Sequence, residues 1–228
     1  MSSSTDRRAD RDAVVAVVRR YHRVERLCSI AAAVAVALVA FVAIVSLPFL
    51  VGLLAAIGLL VLARVPVLSR TTTTRVVTDA DIDAVVADFD GATPPMLAFQ
   101  WGLADDVRPT ADGGVYDFSY AFGLQSATVT VESALRSSDS PGTDDSNGDD
   151  SASTLEITTT ANDRSWGTYT ITIRDRGDET SVEIEGEPNR RFGLRYLVQG
   201  GLTNRYYADV LAAQGYTTVE RETSLSLF

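Results

Sequence analysis

The sequence predicts an α+β protein: an N-terminal transmembrane helical hairpin, followed by an antiparallel sheet packed against a long C-terminal helix. Three patterns predict this class. They are an uncharged run over residues 28–63, several short segments of alternating polar and apolar residues, and an apolar stripe at helical spacing near the C-terminus. We therefore expect a cytoplasmic juxtamembrane segment at 1–26, the hairpin at 27–68 and an acidic cytoplasmic α+β domain at 69–228.

The uncharged run is too long for one crossing of a bilayer. Its 36 residues would extend ~54 Å as a straight helix, whereas the hydrocarbon core is about 30 Å thick. Pro48 lies near the middle, and proline disfavours helix in the residue before it. The run therefore predicts two spans, 27–47 and 49–65. A re-entrant hairpin is the alternative, which the lack of polar residues to line a cavity disfavours.

Arginine placement predicts the orientation of the hairpin. The first span is preceded by Arg7, Arg8, Arg11, Arg19, Arg20, Arg23 and Arg26, and the second is followed by Arg64, Arg70 and Arg75. The turn between the spans is uncharged, so the positive-inside rule predicts a multi-pass protein of the cell membrane with both termini in the cytoplasm. The long charged leader and the second apolar segment disfavour a cleaved signal peptide.

Residues 12–28 carry an apolar stripe among arginines. Val14, Val17, Val18, Tyr21 and Val24 recur at helical spacing, while the arginines occupy the other positions. This pattern is typical of an amphipathic helix lying among lipid headgroups. A cytosolic extension of the first span, bearing the usual juxtamembrane arginines, explains it equally well.

The charged residues are distributed unevenly. All 20 basic residues are arginine, and the acids comprise 21 Asp and 9 Glu. Residues 1–75 have a net charge of +6, whereas residues 76–228 have a net charge of −16. An acidic domain repels nucleic acid, so a nucleic-acid partner is excluded. Self-repulsion at this charge density is relieved in molar salt, where the Debye length is about 3 Å, and the composition therefore predicts a high-salt cytoplasm.

This composition resembles that of proteins from halophilic archaea, which are rich in Asp, Thr, Ala and Val and poor in lysine. The segment "LVQGGLTNRYYADVLAAQGYTTVERETSL" is also similar to the C-terminal part of small, uncharacterised membrane proteins of those organisms. The resemblance covers only this short segment and implies no activity.

The soluble region begins with a strand at 71–77 and a helix at 78–91, and a second helix extends from Thr93 to about Ala104. Alternation then predicts an antiparallel meander of five strands at 115–122, 127–133, 154–160, 168–173 and 180–186. An apolar stripe from Leu194 to Val210 predicts the long helix, which ends before Gly215 and is followed by a last strand.

This order is similar to the helix-grip (START-like) architecture, in which a curved sheet and a C-terminal helix enclose an apolar cavity. Two departures are expected here: one middle strand is missing, and a strand follows the last helix. The resemblance concerns the fold alone, since a fold does not determine function.

The acidic stretch at 137–153 contains no large apolar residue and predicts a disordered loop. Its "DDSNGDD" lacks both the ligand spacing and the closing glutamate of an EF-hand, so no metal site is predicted.

The sequence also argues against an enzyme. His22 is the only histidine and Cys28 the only cysteine, and both lie before or within the first span, so histidine-dependent and thiol nucleophiles are excluded from the soluble domain. Phosphate-binding and dinucleotide-binding glycine motifs are absent, and no cofactor is predicted. Asp105 and Asp106 are adjacent, but a solvated surface explains them better than acid–base chemistry.

One basic cluster is a candidate site for an anion or a lipid headgroup. Arg190, Arg191, Arg195 and Arg205 lie on or beside the predicted C-terminal helix. The alternative, which we favour, is ion pairing with Glu185, Glu187 and Asp209.

These patterns predict a non-enzymatic, membrane-anchored cytoplasmic binding or assembly module of a halophile. Its expected partners are the lipid bilayer and either another protein or a second copy of the chain. The alternative is a START-like binder of a lipid or apolar metabolite at the membrane surface. A sizeable apolar cavity favours ligand binding, whereas a filled core with an exposed apolar patch favours assembly.

Overall fold

The computed structural model describes residues 3–64, 66–120, 124–136, 152–189, 192–193 and 195–227. Within them the protein is α+β, with a long apolar N-terminal helix followed by an antiparallel sheet. The predicted acidic loop lies outside the described residues except at its end. There, Ala152 and Ser153 belong to a strand, which therefore begins earlier than predicted.

Two helices precede the sheet. Helix α1 (Ser3–Ser46) is continuous through the juxtamembrane segment and the first predicted span, and α2 (Phe49–Arg64) follows after a turn at Leu47 and Pro48. The Gly52 amide donates a hydrogen bond to the Pro48 carbonyl oxygen (3.0 Å). A Cβ atom at Gly52 would lie 2.5 Å from the Ala43 carbonyl oxygen, so α2 can approach α1 this closely only because this residue is glycine.

The remaining elements are strands with short helices between them. In chain order they are β1 (Pro66–Thr78), α3 (Ile82–Asp90), a 3₁₀ turn (Pro95–Leu97), α4 (Ala98–Trp101), β2 (Asp106–Thr110), β3 (Gly113–Tyr120), β4 (Gln125–Arg136), β5 (Ala152–Ala161), β6 (Arg164–Asp175), β7 (Thr180–Pro188), β8 (Phe192–Gly193), α5 (Arg195–Ala212) and β9 (Thr217–Leu227).

The sheet places the first and last strands side by side. Strands β2 to β7 form an antiparallel meander, and β7 then pairs with β1, which pairs on its other edge with β9. Thr74 of β1 is therefore opposite both Ile184 of β7 and Arg221 of β9. The two-residue strand β8 pairs with the beginning of β1.

Several predicted boundaries differ from the structure. Strand β1 begins at Pro66 rather than at residue 71, since proline is tolerated at the start of a strand. The predicted second helix is only a 3₁₀ turn and one turn of α-helix that ends at Trp101. Strand β2 is absent from the predicted elements, because its five residues include Pro109 and two charged residues and show no apolar alternation.

The hydrophobic core lies between one face of the sheet and the helices. Its buried side chains include Val76, Val85, Phe89, Leu97, Trp101, Tyr116, Val131, Leu155, Ile157, Ile171, Ile173, Val182, Val210, Leu211 and Tyr216. Helix α1 also contributes to this core, because Val14 and Val18 are completely buried.

The burial of Val14 and Val18 bears on the interpretation of residues 12–28. The segment is continuous with the apolar part of α1, and protein buries these two side chains of its apolar stripe. Tyr21, on the same stripe, is also buried.

Candidate ligand-binding cavity

A cavity of about 350 Å³ lies between the inner face of the sheet and residues from α1, α4 and α5. Its wall is mostly apolar and aromatic, with a few polar groups. The lining residues are Tyr21, Thr72, Thr74, Met96, Leu97, Phe99, Gln100, Val129, Thr159, Trp166, Gly167, Tyr169, Ile184, Gly186, Glu187, Thr203, Tyr207 and Arg221.

The sheet supplies the floor of the cavity. Alternate residues of a strand point to one face, which places Thr72 and Thr74 of β1 beside Ile184 and Gly186 of β7. A Cβ atom at Gly186 would lie 3.1 Å from the Tyr169 ring, so glycine at this position lets the ring lie against β7. The floor therefore combines hydroxyl groups with an aromatic surface.

Helix α1 supplies part of the opposite wall through Tyr21. The Tyr21 ring packs on Phe99 (centroids 4.7 Å apart) and on the edge of Tyr206 (5.8 Å). Its hydroxyl is 3.0 Å from the Thr203 hydroxyl of α5. Tyr21 precedes the apolar run at Leu27 by six residues, which is about 9 Å along a helix. The cavity therefore lies close to the predicted membrane surface.

Buried hydrogen bonds hold the segment that carries Met96, Leu97 and Phe99. The indole nitrogen of Trp101 donates to the Pro94 carbonyl oxygen at 3.0 Å. The Gln214 side-chain amide donates to the carbonyl oxygens of Pro95 (3.3 Å) and Val210 (3.0 Å). These bonds tie the segment to the end of α5, so its apolar side chains form a fixed wall.

Arg221 and Tyr207 form a positively charged part of the wall. The guanidinium carbon of Arg221 lies 3.6 Å from the centroid of the Tyr207 ring, a cation–π contact. Burial raises the pKa of the Tyr207 phenol well above its usual range, and the nearby Arg221 charge offsets only part of that rise. The phenol therefore stays protonated at neutral pH, while the guanidinium carries a full positive charge.

Gln100 contributes a buried acceptor to the wall. Its Oε1 atom is shielded from solvent, and no group of the described residues donates a hydrogen bond to it. A buried acceptor without a partner costs about 1–3 kcal/mol. A ligand or water molecule that donates a hydrogen bond here would recover that free energy.

Only part of the predicted basic cluster lies within the described residues. Arg190 and Arg191 lie outside the described residues, and Arg195 is the first residue of α5. The Arg205 side chain is exposed on α5. Of the ion pairs between described residues, none joins Arg205 to Asp209, so the pairing that we favoured for this arginine is not formed there.

The adjacent carboxylates, Asp105 and Asp106, contact a backbone amide and an arginine, respectively. Asp105 accepts a hydrogen bond from the Ser119 amide at 2.6 Å, and Asp106 lies 3.6 Å from Arg108. Arg108 also pairs with Asp117 of β3 across the β2–β3 ladder. Within the described ranges, no group of three histidine, cysteine or acidic residues is arranged to hold a metal ion.

Local sequence patterns do not indicate Tyr21, Gln100, Tyr207 or Arg221 as site residues. Tyr21 is part of an apolar stripe, and Arg221 lies in the predicted last strand. A shift in register between β1 and β9 explains the second omission. Arg75 is opposite Glu220 whereas Val76 is opposite Thr218, so Val219 is an extra residue that breaks the alternation.

Comparisons with known proteins give little further information. No protein-family model matches this chain, and no curated protein matches it. The solved structures that match include the crystal structure of the Mll3558 protein from Rhizobium loti, with 15% sequence identity and a TM-score of 0.37. That match covers 64% of this chain and 98% of the other. A likeness of this size carries no argument about the fold or function of the chain.

Proposed function

We propose that this protein is a non-enzymatic, membrane-anchored module that binds a small apolar or amphiphilic ligand at the cytoplasmic face of a high-salt cell. The cavity of about 350 Å³ carries this proposal, since small-molecule sites range from about 300 to 1,000 Å³ and combine apolar walls with a few polar groups. The helix-grip resemblance implies a cavity in the same place, between the sheet and the C-terminal helix.

An assembly role has less support. Outside α1 and α2, the exposed large apolar side chains among the described residues are Tyr120, Leu124, Leu135 and Val219. They are spread over the β3–β4 hairpin, the end of β4 and strand β9. Scattered exposed apolar residues are normal on a soluble surface, whereas a partner site presents a contiguous patch. A protein partner or homo-oligomer therefore stays a prediction.

We also propose that the apolar part of α1 and the helix α2 form the two-span hairpin. Helix α1 is the one helix among the described residues that is long and apolar enough to cross a membrane, and protein does not bury its apolar window. Helix α2 has 16 residues and is about 24 Å long, shorter than the hydrocarbon core of about 30 Å.

The core contacts of α1 support an even number of crossings. Val14 and Val18 precede the apolar run and pack against the domain that follows α2. Residues in contact lie on the same side of a membrane, so a chain that crosses in α1 would have to return before β1. Together with the flanking arginines, this contact supports a cytoplasmic location for both termini.

Topology reporters test the hairpin. Fusions after Ser4 and after Phe228 should both report the cytoplasm, and a tag inserted between Ser46 and Pro48 should be accessible from outside. A C-terminal fusion that reports the outside would contradict the two-span arrangement. A tag that is inaccessible from either side would favour the re-entrant alternative.

A cavity-filling substitution tests ligand binding. Thr72→Trp places a large ring on the cavity face of β1, while Thr73→Trp places it on the opposite face, next to Glu185 and Glu222. We propose to measure equilibrium binding of radiolabelled decanamide, a neutral amphiphile, to the full chain in nanodiscs, with empty nanodiscs as the blank.

Thr72→Trp should weaken decanamide binding at least ~10-fold, or about 1.4 kcal/mol, whereas Thr73→Trp should bind like the unmodified chain. Near-ultraviolet circular dichroism establishes that each variant is folded. Equal binding by the two folded variants, or no binding by the unmodified chain, would overturn the proposal.

A further inference from the structure

We infer that the ligand is a neutral single-chain amphiphile whose head group donates a hydrogen bond, such as a hydroxyl or a primary amide, and that the Gln100 side chain accepts this bond. The inference deepens the proposed function and rests on it. Gln100 lies in the cavity wall, and its Oε1 atom is buried without a donor among the described residues. Because most buried polar atoms of folded proteins are hydrogen-bonded, an unpaired acceptor in a cavity wall indicates where a ligand donates.

The backbone around Gln100 is held by hydrogen bonds at the end of α4. The Gln100 carbonyl oxygen accepts from the amides of Leu103 (3.2 Å) and Ala104 (3.1 Å), and the Gly102 amide donates to the Ala98 carbonyl oxygen (2.9 Å). The Gln100 side chain therefore extends from a fixed point of the wall.

Gln100 is the polar residue of an otherwise apolar part of the wall. Met96 and Leu97 precede it by four and three residues, a spacing that places side chains on one side of consecutive helical turns. Both are almost completely buried, and both line the cavity together with Phe99 and Gln100. A polar group in apolar surroundings is costly unless it is paired, so a hydrogen bond to Oε1 contributes strongly to binding.

Several hydroxyl groups of the wall already bond to the protein. The Thr159 hydroxyl of β5 donates to the Gly167 carbonyl oxygen at 2.9 Å, and the hydroxyls of Tyr21 and Thr203 lie 3.0 Å apart. Neither contact includes Gln100. A molecule inside the cavity is therefore the source from which Gln100 Oε1 obtains a donor.

The acids of the wall favour a neutral donor over an ammonium group. Among the described residues that line the cavity, Glu187 is the one acid, and it is exposed. A cation that leaves water for a mostly apolar cavity needs a buried counter-charge. A hydroxyl or a primary amide needs only an acceptor, which Gln100 supplies.

The cavity volume limits the size of the ligand. About 350 Å³ holds about 12 non-hydrogen atoms at ~30 Å³ each, the share of one molecule in liquid water. Decanamide has this size, whereas a two-chain membrane lipid is too large to be enclosed. The apolar side chains beside Gln100 suit its aliphatic tail.

The test compares decanamide with 2-undecanone, in which a methyl group replaces the amino group. The two compounds share the chain and the carbonyl acceptor, but only decanamide has N–H donors. Each is titrated into the full chain in nanodiscs in molar KCl, with empty nanodiscs as the blank. Gln100→Met, which keeps the side-chain length and removes the acceptor, should weaken decanamide binding at least ~10-fold relative to 2-undecanone binding.

Gln125→Met is the matched control, because Gln125 is exposed at the start of β4 and is not part of the cavity wall. It should keep the ratio of affinities of the unmodified chain. Gln100→Leu also lacks the acceptor and should behave like Gln100→Met. A difference in membrane partitioning between the two compounds cancels, because it is the same for every variant.

The outcomes separate the two proposals. An unchanged ratio of affinities in the Gln100 variants, or the same change in Gln125→Met, would refute the role of Gln100 and leave ligand binding intact. Near-ultraviolet circular dichroism should show both Gln100 variants folded, and unfolding of both would assign the residue a structural role instead. Binding of neither compound to the unmodified chain would refute the cavity as a ligand site altogether.

Discussion

The two halves of α1 belong to one continuous helix but have different surroundings. In the N-terminal half, Val18 is completely buried in the protein core, whereas Val39 in the C-terminal half is 58% exposed. The N-terminal half is rich in arginine, and the C-terminal half has no charged residue after Arg26. Protein covers the apolar side chains of the first half, and we propose that lipid covers those of the second.

This difference shows that apolar periodicity does not identify the partner of a helix face. An amphipathic stripe next to a membrane span is typical of headgroup binding, yet here the helix that carries the stripe packs against α4 and α5, which lie far along the chain. As a result, a helix that we propose to be a membrane anchor also forms part of a cavity wall, through Tyr21.

The largest expected effect comes from the salt concentration. Lowering it should unfold the acidic domain but leave the helices of the proposed spans folded. Diluting the full chain in nanodiscs from molar KCl to about 0.1 M should unfold the domain, because carboxylate repulsion then extends ~10 Å against a stability margin of only about 5–15 kcal/mol. Circular dichroism should show loss of strand signal with the helical signal of the spans retained. Identical melting at both salt concentrations would remove the main physical support for a halophilic protein.

An acidic substitution in the N-terminal half of α1 should lower the stability of the domain only where protein buries the side chain. Val18→Asp should destabilise the domain by about 4 kcal/mol or more, because it places an unpaired carboxylate in the core. Ala16→Asp, at an exposed position of the same helix, should cost less than about 1 kcal/mol. Denaturant unfolding in molar salt measures both, and similar losses for the two variants would show that this half is not docked.

A valine-to-aspartate substitution in the C-terminal half of α1 should instead affect insertion of the helix into the membrane. Val39→Asp should leave domain unfolding unchanged and disfavour membrane insertion by about 2.5–3.5 kcal/mol. The membrane-inserted fraction, measured by alkaline extraction of membranes, is the readout. Normal insertion together with an unstable domain would place Val39 in a protein contact rather than in lipid.

A smaller effect is expected where α1 meets α5. Tyr21→Phe removes the hydrogen bond to Thr203 and should cost about 1 kcal/mol. Thr203→Val should cost a similar amount, and the double variant should lose less than the sum of the two single losses. Strict additivity in this double-mutant cycle would mean that the two hydroxyl groups do not interact.

Much of the fold follows from local sequence patterns. The α+β class, the helix at 78–91 and the five strands of the meander depend on periodicity, and the structure has elements at each of these places. The pairing of β1 with β9 depends on residues about 150 positions apart, and no local pattern encodes such a pairing. Strand β2 is too short and too polar to show alternation.

The candidate site was not predictable for related reasons. Of the arginines that cluster in the sequence, Arg195 and Arg205 lie on α5, whereas the arginine in the cavity, Arg221, is isolated among threonines and glutamates in the last strand. Its inward direction depends on the extra residue at Val219, which reverses the alternation within β9. Likewise, the contact between Tyr21 and Thr203 joins residues 182 positions apart.

The most direct test of docking by the N-terminal half of α1 is cysteine labelling of two of its residues. In a Cys28→Ser background, Val18→Cys and Ala16→Cys are treated with a maleimide, in nanodiscs and in detergent, in molar salt. Val18 is completely buried and Ala16 is exposed.

We expect Cys at 18 to react at least ~100-fold more slowly than Cys at 16, since labelling at 18 requires a local opening of the protein that costs about 2.7 kcal/mol or more. This protection should persist in detergent and disappear in denaturant. Equal labelling rates in the folded protein, or protection that is lost when detergent replaces the bilayer, would show that lipid rather than the domain covers this half of the helix.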